Sequence, residues 1–365
     1  MPNLHHKLLF ADQLRALAVI SVMISHYCGI FWFDSSVYSY INATPYKLDV
    51  LVPDIIKSIV DTGIPYFVWS PFGVDLFFLI SGFLIPISLQ KYNRSEFFIQ
   101  RFLRIYPTYI VGFSITIAML LFSSYYFGNP FPYSISEVLL HSIIGLRDIA
   151  NTPHIDKIIW TLELELKFYI LGMIFLPLFK RSSLLVFLIP VSIFIIALTI
   201  SLLYSWHTPY PVSLIIYMFI GTLFYYHLKE KIKALTAFVL IIILFGLYGY
   251  LFYTMGLPIH GFDYIKIVSI NGLYALVLFA ISYMLRNKFV YNRYLSFIAS
   301  ISYPFYIIHG ISGYVIIMIL IKNNIPALLS MLMAIVIIAL MAYIIHIYVE
   351  KPSIILGKKI NKYFG

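Results

Sequence analysis

Runs of about 20 apolar residues recur along nearly the whole of this 365-residue chain, and that recurrence constrains the fold more than any motif does. A run of that length crosses the hydrocarbon core of a bilayer as a helix, because in lipid each span must satisfy its own backbone N–H and C=O groups. Composition agrees. Hydrophobic residues make up 61% of the chain and charged residues 11%, against roughly 25% charged in a soluble domain. No soluble core could absorb that much apolar surface. The expected fold is all-α: a polytopic transmembrane helix bundle forming a single domain over residues 1–365.

The runs give about ten expected spans, near 8–32, 66–90, 105–127, 159–179, 184–204, 212–228, 234–253, 266–285, 298–320 and 327–349. Charge orients them. Connections after the even-numbered spans carry Lys91, Arg94, Arg101 and Arg104, then Lys180 and Arg181, then Lys229, Lys231 and Lys233, then Arg286, Lys288 and Arg293. Lys7 and the tail lysines Lys351, Lys358, Lys359 and Lys362 fall on the same side. The opposite connections hold Lys47, Lys57, Arg147, Lys157, Lys266 and Lys322, together with acids such as Asp49, Asp54, Asp148 and Asp156. Cytoplasmic connections collect Lys and Arg, so both termini are expected in the cytoplasm. The net charge of +10 is read as that topology signal and not as a nucleic-acid footprint. Membrane lipids are therefore expected partners and nucleic acid is not.

Two outward connections, near 33–65 and 128–158, are longer than joining spans requires, and they are expected to cap a site facing outward. Trp32, Trp69 and Trp160 lie near span ends and read as interfacial anchors. A lone cysteine, Cys28, excludes an internal disulfide and reads as filler. The first run carries Asp12, Arg15 and His26 without a small-residue cleavage site, so no cleavable signal is expected.

Polar residues inside spans are costly and therefore informative. Arg15 and His26 are eleven residues apart in the first span, close to three helical turns, which puts them on one face. An Asp12–Arg15 pair at the cytoplasmic interface is the plainer reading of that end. Asp75 stands in the aromatic run PFGVDLFFLISGFLI. In WTLELELKFY, Glu163 and Lys167 have the i,i+4 spacing of an internal ion pair, whereas Glu165 lies on another face with no local partner. His26, Asp75 and Glu165 all fall in the outer half of the expected membrane, and their convergence on one polar cavity is a hypothesis. A carboxylate beside a histidine would suit general-base chemistry on a hydroxyl. Arg101 and Arg104, three apart on one face, suit phosphate groups, although ordinary positive-inside anchoring explains them as well. His309, in SFIASISYPFYIIHG, is explained by a helix–helix hydrogen bond at least as well as by catalysis. No metal is expected: His5-His6 is terminal, and His26 lacks a second ligand at metal spacing.

In order along the chain, DQLRALAVISVMISH, FGVDLFFLISGFLI, RFLR at 101–104, WTLELELKFY, ISYPFYIIH and the closing Glu350-Lys351-Pro352 resemble the acyltransferase-3 family of integral membrane acyltransferases. The resemblance covers nearly the whole chain, in the stand-alone form without a fused esterase-like domain. It implies a cytoplasmic acyl-CoA donor, with acetyl-CoA favoured, and a hydroxyl acceptor on an envelope or surface polysaccharide or lipid-linked glycan. By that analogy His26 is the catalytic base or acyl relay, Arg15 is functionally essential, Glu165 matches the family's glutamate, and Arg101 with Arg104 helps hold CoA. No permanently bound cofactor is implied, and a bacterial inner membrane is the implied location. Thr161 replaces the usual serine and keeps its hydroxyl. Leu166 replaces a common second acid, which argues against a two-carboxylate scheme. A small-molecule or lipid precursor acceptor, and a transporter of acylated or sugar substrates, are the competing readings.

Overall fold

Each of the apolar runs is helical, and no strand occurs among the described residues. The computed structural model describes residues 4–45, 52–150, 152, 154–204 and 209–364, the side chains of 4–7, 148, 209–211, 257–260, 363 and 364 excepted. Lys47 and Asp49 thus lie outside the described residues, as do the side chains of His5, His6, Lys7 and Asp148.

Among the described residues, seven helices are long and apolar enough to cross a membrane: Leu8–Phe33, Trp69–Lys91, Arg94–Phe127, Leu184–Tyr204, Ala234–Gly256, Gly261–Met284 and Ala327–Lys362. An eighth run is a bent pair, Arg293–Ile308 and Ile311–Lys322, meeting at 76°. Two further runs are helical. Ile159–Ile174 carries Glu163, Glu165 and Lys167 and ends at Phe175, where the backbone leaves the helical region before Pro177 starts the short helix Leu176–Lys180. Val212–Leu228, within Pro209–Leu228, is apolar.

The chain forms two compact units. The first comprises Met1–Ala18, Pro65–Phe98 and Leu164–Asn292. Its core is the crossing of Trp69–Lys91 with Pro209–Leu228, which meet backbone against backbone. A Cβ on Gly82 would collide with the Met218 carbonyl, and one on Gly221 with the Leu79 carbonyl. Small residues permit such contact where lipid removes the hydrophobic drive for helix association. The Thr222 hydroxyl then reaches Gly82 O at 3.0 Å. Edge-to-face rings fill the space beside the crossing, among them Phe10–Phe83 at 5.4 Å and Phe224–Phe279 at 5.0 Å. Buried Asn271 fastens the start of Trp69–Lys91: its amide donates to Tyr66 O at 2.9 Å and its Oδ1 accepts the Val68 N–H at 3.0 Å. Gly261 interrupts Ala234–Met284 with φ 76°, a conformation that favours glycine, so that helix reads as two spans.

The second unit comprises Val19–Ile64, Ile99–Glu163 and Arg293–Gly365. Here the connection near 33–65 is tied to the end of Arg94–Phe127. Asn42, in the left-handed region at φ 52°, donates to Ser124 Oγ and Pro130 O, both at 2.8 Å, and Ser123 donates to Ile41 O. Trp32 is buried and its indole N–H donates to Tyr27 O at 2.8 Å, so it packs inside the unit and is no interfacial anchor. Cys28 is also buried, its Sγ 3.8 Å from Met331 Sδ. The tail helix Lys351–Phe364 buries Ser353, Gly357 and Asn361, one helical face, and exposes Lys351, Lys358, Lys359 and Lys362.

Candidate active site

The first helix runs α-helical over Leu4–Ile24 and then widens into a π-helix over Ser25–Ile30, with His26 its second residue. Single π turns inside α-helices concentrate at functional sites. The change of pitch means that face arithmetic at 3.6 residues per turn does not carry beyond His26 to the rest of that segment. The half-buried His26 ring has two close neighbours from distant sequence. Its Nδ1 lies 2.6 Å from the Tyr314 hydroxyl, with the two rings nearly parallel at 17°. The His309 ring stands edge-on to it, centroids 4.6 Å apart at 70°.

Local backbone chemistry places His309. The chain bends by 76° between Ile308 and Ile311, and Gly310 sits at ψ −98°, outside the helical region. Such a break frees carbonyls that a helix would otherwise satisfy, and in an apolar surround they need donors. Tyr27 supplies one, its hydroxyl donating to His309 O at 2.8 Å. Gly313 makes room for that ring, since a Cβ there would collide with the Tyr27 hydroxyl. The His309 Nδ1–H donates to Tyr306 O at 2.6 Å, which fixes the tautomer and leaves Nε2 as the lone-pair nitrogen. That Nε2 is buried and has no hydrogen-bond partner among the described residues.

The connection near 128–158 closes over this break. Asp156 O and Ile158 lie 3.9 and 4.0 Å from where a Cβ on Gly310 would stand. Asp156 Oδ1 accepts the N–H groups of Ile158 at 3.1 Å and Ile159 at 3.0 Å, capping the start of Ile159–Ile174. Burial outweighs those bonds and raises the Asp156 carboxyl to about 6. His141, 3.7 Å away, is pushed down to about 3 by burial and then by the Arg147 guanidinium, so the contact joins a neutral imidazole to the acid at neutral pH. Arg147 clamps Glu163, Nε to Oε1 at 2.9 Å with Nη2 on Oε2, and both side chains are buried. The Thr161 hydroxyl meets the Tyr306 hydroxyl at 3.0 Å.

This arrangement adds one partner and corrects two sequence expectations. Arg147 grips the Glu163 carboxylate, because the connection preceding the helix folds back onto it. Glu165 does have a local partner, the Tyr169 hydroxyl one turn on at 2.6 Å, and Ser81 reaches the same oxygen at 3.3 Å. The group on His26 Nδ1 is a phenol hydroxyl and no carboxylate. His26 belongs to the second unit, whereas Arg15, Asp75 and Glu165 belong to the first. There Arg15 pairs with Asp12 at 3.2 Å, the plainer of the two readings of that end. Asp75 is 2% exposed, and its Oδ2 has no hydrogen-bond partner among the described residues. A carboxyl oxygen buried that way in a spanning helix is costly and marks a functional position by default. Arg101 and Arg104 lie inside Arg94–Phe127, in its first three turns; Arg101 is half-buried and Arg104 exposed. Sequence reasoning missed Tyr314 and Arg147. Tyr314 lies in an unremarkable apolar stretch, and the acids following Arg147 in sequence were its only signal. Among the described residues no three His, Cys, Asp or Glu side chains are grouped to hold a metal ion.

A multi-span helical protein with buried histidines at a broken helix and a π turn is a membrane protein built around a polar reaction or transport centre. Its sequence decides which: residues 8–348 match the acyltransferase-3 family, described as an acyltransferase domain, and the chain belongs to that family of membrane acyltransferases. No curated protein and no solved structure matches it.

Proposed function

We propose that this protein is an acyl-CoA-dependent O-acyltransferase of a bacterial inner membrane that moves an acetyl group onto a hydroxyl of an envelope or surface polysaccharide. The observation that carries the reading is His26: a ring held at Nδ1 by Tyr314, with Nε2 making no hydrogen bond to a described residue. An imidazole presented that way can take the proton of an acceptor hydroxyl through Nε2. The hydroxyl oxygen then attacks the thioester carbonyl, the C–S bond breaks, and the imidazolium returns its proton to the departing thiolate. Acyl-CoA and alcohol become ester and free CoA. Arg101 and Arg104 are assigned to the CoA phosphates, which guanidinium groups bind through paired N–H donors. Asp75, Glu165 and Arg15 are assigned to the same reaction on the family resemblance and on the cost of their positions.

The accompanying topology has about ten spans and cytoplasmic termini, in keeping with the side on which lysines and arginines collect. Seven qualifying helices, the bent pair and the two shorter runs supply the segments. Reporter fusions after Lys180 and after Asn323 test it, with a cytoplasmic signal expected from the first and an external one from the second. The reverse pattern overturns the orientation.

The activity is tested by measuring ester-linked acetate on envelope glycan in cells lacking the gene, complemented with wild type or His26→Ala at matched membrane levels. Restoration by wild type alone is expected. Equal restoration by both removes His26 from the chemistry, and restoration by neither overturns the glycan acceptor.

A further inference from the structure

The proposed reaction needs His26 to present one particular nitrogen, and nothing in its own helix fixes which. The answer lies 288 residues away. The Tyr314 hydroxyl, 2.6 Å from His26 Nδ1, makes its one described hydrogen bond there. Helix Ile311–Lys322 brings it in just after the 76° break. Two further contacts leave that ring little freedom. Tyr314 packs against Phe31 at 5.8 Å and Tyr27 at 6.4 Å, and Tyr27 is pinned by its own bond to His309 O. His309, locked by Tyr306 O, bounds the His26 ring from another side. A hydroxyl reached through so many fixed contacts is built to hold the imidazole.

We propose that Tyr314 is the positioning residue of His26: its oxygen accepts the Nδ1–H, so that Nε2 carries the lone pair toward the acceptor hydroxyl. This rests on the assignment of His26 as the base. When Nε2 takes the proton, both ring nitrogens carry hydrogen, and the only described group at Nδ1 is the Tyr314 oxygen. The bond then becomes charge-assisted and strengthens as the reaction proceeds. It acts where serine hydrolases place a buried aspartate, but with a neutral oxygen. A neutral partner orients the ring without bringing an unpaired negative charge into an apolar span, where the cost would be high.

Tyr314→Phe removes the hydroxyl and keeps the ring, and it is the variant to test in full-length protein reconstituted in lipid nanodiscs. Two measurements separate this inference from the activity it rests on. The first is 15N spectroscopy of histidine-labelled protein, with His26 assigned by its loss in His26→Gln. In Tyr314→Phe the His26 Nδ1 signal is expected to shift while the signals of the other histidines stay in place, which reports an intact fold. The second is thiol release from acetyl-CoA with envelope glycan as acceptor. Tyr314→Phe is expected to lower kcat about 10- to 100-fold with the KM for acetyl-CoA within about twofold, as loss of a bond that strengthens in the transition state requires. Unchanged His26 nitrogen signals, or a kcat within about twofold of wild type, overturn the role of Tyr314. Absence of thiol release from the wild type overturns the proposed reaction instead, and the nitrogen signals still decide whether Tyr314 sets the ring.

Discussion

The Arg147 guanidinium holds the Glu163 carboxylate in a two-pronged grip, with Nε 2.9 Å from Oε1 and Nη2 on Oε2. Arg147 also donates to Thr152 O at 3.0 Å, so one buried cation ties the later part of the 128–158 connection to the helix that follows it.

Removing one partner leaves the other charge buried and unpaired, at a cost of about 3–5 kcal/mol. Glu163→Gln and Arg147→Met are each expected to lower the melting temperature of the detergent-solubilised protein sharply. The double change Arg147→Met with Glu163→Leu is expected to recover much of that loss, because no buried charge remains. A double variant no better than the worse single one would show that the pair itself holds the connection.

Asp156 gives the stability a pH dependence of definite sign. Its folded value of about 6 lies above the ordinary 3.8, so the folded protein holds that proton more tightly. The stability this contributes is fully present below 3.8 and is lost as pH rises through 6. Over that window the term is on the order of 1–3 kcal/mol. Asp156→Asn keeps a side-chain oxygen for the capped N–H groups and cannot titrate. Melts from pH 4 to pH 7 are expected to show wild type losing ground to the variant as pH rises, then running parallel to it. Parallel curves throughout would place the Asp156 carboxyl in its ordinary range.

The two classes of glycine in the first unit make a contrast. Gly82→Ala drives a methyl into the Met218 carbonyl, backbone against backbone, with no flexible side chain to give way. The helices must separate, and a loss beyond the usual 1–3 kcal/mol for overpacking is expected, seen as failure to accumulate in the membrane. Gly246 has open space where a Cβ would stand, so Gly246→Ala is expected to be neutral or slightly stabilising. Equal membrane levels for the two variants would contradict the close crossing.

Tyr27→Phe leaves His309 O buried without its donor, a loss of about 1–3 kcal/mol. The bend that carries His309 and Tyr314 is expected to loosen with it. Hydrogen exchange should rise in residues 306–316 before it rises elsewhere. Unchanged protection there would mean the bend holds without the hydroxyl.

Much of the fold was legible from residue order alone. The run Leu184–Tyr204 folds as a helix because it has no other way to satisfy its backbone in lipid, and no tertiary partner was needed to say so. Ile159–Ile174 shows the limit. Its acids were read as polar positions, yet the Tyr169 hydroxyl beside Glu165 and the Arg147 guanidinium on Glu163 were not foreseen. A spacing of four says which groups share a face of one helix, not which loop returns to cover it.

By itself the sequence determined the helical membrane class and the family, through residues 8–348 and motifs that run in order along the chain. It also supplied His26, Asp75, Glu165, Arg101 and Arg104 as candidates. Tertiary structure decided what each one touches. Tyr314 reaches His26, and Arg147 reaches Glu163, only because helices take particular rotations and a loop takes one path. The π turn at Ser25–Ile30 and the 76° bend beside His309 set those rotations. Both are local departures from the α-helical period, and hydrophobic periodicity carries no record of them.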